Sequence, residues 1–105
     1  MDERIREHAE TLVEWSARVE AGDDVVVRVA EGAHDLAVAV AEVLGERGAN
    51  VVTTYDSAEM SRAHLRAYGA ENGDDFETPG HELALYERAD VVLSLGGGRN
   101  TFATA

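Results

Sequence analysis

The chain has 105 residues, no cysteine, no lysine, and 21 acidic side chains against nine arginines, for a formal charge of −12. That length suits one domain with one core, burying roughly 65% of the unfolded surface. The charge excludes phosphate-driven binding to nucleic acid and docking on anionic lipid, and the missing cysteine excludes disulfides and thiolate metal sites.

The first twenty residues read as a helix from Asp2 to Ala21. Ile5, Ala9, Leu12, Ser16 and Val19 recur at three- and four-residue steps, with Trp15 at the edge of the stripe. Met1-Asp2-Glu3-Arg4 lacks the cationic and then apolar layout of a secretory leader. Gly22 stops the helix and Asp23-Asp24 turn the chain. Val25 to Ala30 is then almost continuously β-branched, the pattern of a strand covered on both faces.

A second helix is expected from about Ala33 to Arg47, burying Leu36, Ala37, Val40, Ala41 and Leu44, with Glu42 and Glu46 facing water. Gly48 closes it, and Asn50 to Thr54 make a second strand. Asp56 with Glu59 resembles a capping box and opens a third helix through Tyr68, with Met60, Ala63 and Ala67 along one side. Gly69 to Glu77 is a polar turn region. Thr78 caps a short fourth helix with Pro79 at its first position, running to about Ala89. Val91 to Leu95 is a third buried strand.

Helices and strands alternate, so the expected class is α/β: three layers around a small parallel sheet, a helix followed by βαβαβ, resembling an incomplete doubly wound domain. Residues 1–105 are expected to form a single domain. The longest uninterrupted apolar run, Leu36 to Ala41, is far short of a membrane span. A cytoplasmic protein is the expectation. Nine cations that are all arginine, with acids spread along the whole chain, point to a salty cytoplasm, where molar salt screens surface repulsion over about 3 Å.

Few motifs carry chemistry. His81-Glu82-Leu83-Ala84-Leu85 begins like a zinc-protease helix, but Leu85 stands where the second histidine must lie. His8, His34 and His64 are far apart on different helices, and no two histidines have ligand spacing. Asp23, Asp24, Asp74 and Asp75 fall in turns, where aspartate bonds the backbone. The most suggestive segment is Gly96, Gly97, Gly98, Arg99 and Asn100, beyond the third strand. Ligands bind past the carboxyl ends of parallel strands, and these glycines could present N–H groups to an anion with Arg99 assisting. The competing reading is a tight turn. Glu31 to Asp35 falls on the same sheet edge.

Three segments in order carry a wider likeness: Glu20-Ala21-Gly22-Asp23-Asp24-Val25-Val26-Val27, Glu46-Arg47-Gly48-Ala49-Asn50-Val51-Val52, and Ala89-Asp90-Val91-Val92-Leu93. The series resembles the N-terminal domain of the aminopeptidase T-like metallopeptidases, the thermophilic metalloprotease family, in a form like that of a salt-adapted archaeon. The resemblance implies a dimeric exopeptidase that removes N-terminal residues from peptides with two divalent metal ions, zinc, cobalt or manganese. The ligands in that family are Glu, His and Asp side chains with a nearby Tyr in its larger C-terminal part, and none of those motifs occurs in this sequence. The family protein is also several times longer. The expectation is therefore a fragment, a truncated frame or a stand-alone domain, without the metal centre and inactive alone. A homodimer and peptide substrates belong to the full-length family. The alternatives are a small ligand- or nucleotide-binding domain using residues 96–100, and an interaction domain.

Overall fold

The computed structural model describes residues 2–96 and 101–104. Helix α1 (Glu3–Glu10) starts where the Asp2 carboxylate accepts a hydrogen bond from the Arg4 N–H at 2.8 Å. It does not continue as one regular helix to Ala21. Thr11–Ser16 form a π-helical turn, closed by the Ala17 N–H donating to the Leu12 carbonyl five residues back. The wider turn shifts the buried stripe by one residue. Ala9, Leu12, Val13, Ala17 and Val19 are buried, while the expected Ser16 is exposed.

Strand β1 (Asp24–Ala30) follows, and α2 (His34–Arg47) returns the chain to β2 (Asn50–Asp56). The two strands pair in parallel, Val25 opposite Val51 and Val29 opposite Tyr55. Gly48, at φ +79°, ends α2 in the left-handed conformation. Its carbonyl accepts from the Gly22 N–H at 3.0 Å, and the Arg47 guanidinium donates to the Val19 carbonyl at 2.7 Å, so the turns flanking β1 and α2 lock together. The buried side of α2 is rotated slightly from expectation. Ala39, Val40, Val43 and Leu44 are buried, Leu36 and Ala37 are partly covered, and Ala41 is exposed.

Helix α3 (Ala58–Asn72) is longer than expected and is capped by Ser57 rather than Asp56: the Ser57 hydroxyl accepts from the Met60 N–H at 3.3 Å. Asp56 ends β2 instead and bonds Arg28. No residue of α3 is buried, so its expected apolar side, Met60 included, is uncovered. Helix α4 (Gly80–Arg88) begins one residue later than expected, with Pro79 rather than Thr78 at the cap. Strand β3 (Val91–Leu95) then pairs with the other side of β1 in parallel, Val25 opposite Val91. A further strand, β4 (Thr101–Thr104), is absent from the sequence expectation and runs antiparallel to β3.

The sheet order is β2-β1-β3-β4, so the fold is α/β with a three-stranded parallel sheet and one antiparallel edge. The parallel strands alternate between two unequal faces. Val25, Val27, Val91, Leu93 and Leu95 meet the buried side chains of α1, the π turn and α2 in one core. The opposite face carries Val26 and Val52 beside Leu85 of α4 and Ala89 just after it, with Arg28 next along β1. Helices thus lie on both sides of the sheet. No helix among the described residues is long and apolar enough to cross a membrane.

Candidate functional site

Strands β1 and β3 point the same way and lie side by side, while the connections leave them in opposite directions along the sheet. That reversal is the place where open α/β sheets bind ligands, in the crevice past the strand ends. Here it is formed by the turn after Ala30 and by Gly96 after Leu95. Gly32, at φ +87°, lets the first turn close before α2 begins. The cap of α2 is Ala33, which has no side-chain acceptor to satisfy the first N–H groups of the helix.

Gly96 joins this turn closely. Its φ is +108°, and a Cβ placed on it would stand 2.7 Å from the Ala30 Cβ and 3.2 Å from the Ala33 Cβ. Both the conformation and the contact require glycine here. The structure therefore brings Gly96 against the Glu31–Asp35 segment, as the common sheet edge implied. Gly97, Gly98, Arg99 and Asn100 lie outside the described residues.

Along the outer strand, β2 and α2 flank a groove of about 420 Å³ whose walls include Val29, His34, Val38, Thr54 and Tyr55. The Thr54 hydroxyl is buried without a hydrogen-bond partner among the described residues. On the other face Arg28 donates through Nε to Asp56 Oδ2 at 3.0 Å and lies over the Tyr86 ring, 5.8 Å from its centroid. Sequence reasoning passed over this cluster. Its signal was the lone arginine inside an otherwise apolar β run, a polar step on the less covered face.

The charged residues gather elsewhere. Arg6 on α1 bonds Glu10 one turn on at 2.8 Å and also reaches Glu42 and Glu46 on α2. The two glutamates face water as expected and, from that exposed position, also tie α2 to α1. The hydrogen bond from Arg6 keeps the Glu46 carboxyl below its ordinary range. This is a structural clasp between α1 and α2.

His81 is exposed on α4, and Leu85 one turn on is half-buried above the sheet. His64 lies against Tyr68 and Phe76, with ring centroids 6.1 and 5.4 Å away. Among the described residues no three histidine, aspartate or glutamate side chains gather where they could hold a metal ion. Two-metal hydrolysis needs several such ligands on rigid elements, so the described residues do not fit a dinuclear centre.

What the fold and this edge define is an α/β domain with a strand-end crevice and no ligand set of its own among the described residues. The sequence matches the thermophilic metalloprotease (M29) family over residues 1–103, and the chain belongs to that family. No curated protein matches it. Among solved structures, wild-type AmpT from Thermus thermophilus is similar in fold, with 22% sequence identity and a TM-score of 0.58. That match covers 67% of this chain and 18% of the AmpT chain. The chain thus corresponds to a small part of that relative, and the resemblance to the family's N-terminal domain holds.

Proposed function

We propose that this chain acts as the N-terminal domain of a metal-dependent aminopeptidase, framing the substrate cavity and supporting dimer contacts rather than carrying the metal centre. The family match over residues 1–103 supports the assignment. The observation that carries the finer reading is that no three candidate ligand side chains converge among the described residues. On this reading the ligands for two zinc, cobalt or manganese ions come from other parts of the enzyme, and the 105 residues alone do not cleave peptides. The acid excess and the all-arginine cations support a cytoplasm of high salt as the working environment.

The test is direct. Purified protein at high salt should carry no stoichiometric zinc, cobalt or manganese and should leave aminoacyl-nitroanilides uncleaved. Turnover that a chelator abolishes and added metal restores would overturn the reading.

A second reading, small-ligand binding by residues 96–100, is favoured by one observation: Gly96 stands at the point where the strand connections diverge. Calorimetry with inorganic phosphate and with a nucleotide should then show binding that Arg99→Ala removes.

A further inference from the structure

On the less covered face of the sheet, α4 stands off from the amino ends of β1 and β2 and leaves a cleft of about 180 Å³. Its floor and wall are apolar: Val26 and Val52 from the strands, Leu85 and Ala89 from the helix side. Val52 is still 51% exposed, an unusual state for a valine facing a helix in a parallel sheet. The volume is below that of drug-sized pockets, yet above the roughly 150 Å³ that accepts benzene in an apolar cavity. One branched or aromatic side chain fits such a space.

The rim is polar and carries both signs of charge. Asp24 accepts from the Asn50 amide at 3.0 Å and from the Arg88 guanidinium at 3.5 Å. The Arg88 side chain is 85% exposed, so little holds it in that weak contact and its remaining donors face solvent. The backbone N–H of Asp24 is taken by the Asp90 carboxylate at 2.8 Å, which leaves the side chains as the available groups. A carboxylate and a guanidinium therefore stand at the mouth of a one-residue apolar slot.

We infer that this cleft binds a free apolar α-amino acid as its zwitterion. The ammonium pairs with Asp24, the carboxylate takes the fork of Arg88 in place of the long Asp24 contact, and the side chain covers the exposed Val52 beside Leu85, above the buried Val26. Glycine has no side chain to fill the slot, and a ligand with one charge leaves one rim group unmatched. The site lies at the opposite end of the strands from Gly96, and the inference stands independently of the peptidase reading. Rim charges open to water contribute little, so the dissociation constant is expected on the order of 1 mM.

Methyl-resolved NMR titration of the whole chain with L-leucine tests this, with isocaproate, isoamylamine and glycine as analogues. The expected result is saturable shifts at the Val26 and Val52 methyls with leucine. Binding should be several-fold weaker for the two singly charged analogues and undetectable for glycine. Arg88→Ala, at an exposed position, should weaken leucine several-fold without moving the melting temperature, and Val52→Glu should abolish the shift that remains readable at the Val26 methyls. Absence of leucine shifts at these methyls, or equal shifts with glycine and leucine, overturns the inference.

Discussion

Gly96 lies so close to Ala30 that a Cβ on the glycine would stand 2.7 Å from the alanine Cβ. This contact joins the end of β3 to the end of β1 and sets the shape of the crevice between them. Gly96→Ala meets two penalties, the positive φ and a clash with a short side chain that cannot swing away. The expected loss is about 2–4 kcal/mol by chemical denaturation. Gly32→Ala has open space around it and bears only the conformational cost, about 1–2 kcal/mol.

The Arg6 clasp gives a pH signature. The Glu46 carboxyl is held below its ordinary value of 4.5 by the bond from Arg6. A lowered folded value means the stabilisation is fully present above the unfolded value and is lost as pH falls through the folded one. Glu46→Gln should therefore melt lower than wild type at neutral pH. The two melting curves should converge as the pH drops below about 4, and high salt should narrow the gap at neutral pH.

Thr54 places a hydroxyl in a buried position without a partner among the described residues. Thr54→Val keeps the shape and removes the unmet hydrogen bond. The expected gain is about 1 kcal/mol in denaturant unfolding.

Arg18, just past the π turn, sits at φ +52°, in the region side chains with a Cβ avoid. Arg18→Gly should be more stable than Arg18→Ala by about 1 kcal/mol, since only glycine escapes the strain.

Buried and uncovered helix positions should respond differently to truncation. Leu44 is fully buried in the core, and Leu44→Ala should cost about 2–5 kcal/mol. Leu65 on α3 is 47% exposed, and Leu65→Ala should change stability by less than about 0.5 kcal/mol. A large loss at Leu65 would mean that α3 is covered in solution.

Strands were readable in the sequence because Val25 to Ala30, Asn50 to Thr54 and Val91 to Leu95 are dense in β-branched or aliphatic residues bounded by Asp and Gly, a local signal. The π turn was not, since a 3.6-residue stripe fits Leu12, Ser16 and Val19 equally well until packing chooses Val13 and Ala17. Asp56 and Ser57 are both good caps. The choice fell to Ser57 because pairing of Asp56 with Ala30 extends β2 through that residue. The strand β4 follows a glycine-rich run, and its short Thr-Phe-Ala-Thr segment has no period of its own. At the site, Gly96 was legible as a special position, whereas the demand for glycine comes from Ala30 and Ala33, distant in sequence and visible only in three dimensions. The Asp24–Arg88 rim is likewise a product of tertiary convergence.

The central place of β1 also imposes an order of assembly on the nascent chain. Its pairing with β2 joins residues 26 positions apart, as Val25 and Val51 are, while its pairing with β3 spans 66, as between Val25 and Val91. A chain leaving the ribosome can close the shorter loop first and must then wait, with one flank of its most apolar strand bare, until Val91 to Leu95 emerge. During that interval the exposed flank of β1 is the segment most open to mispairing.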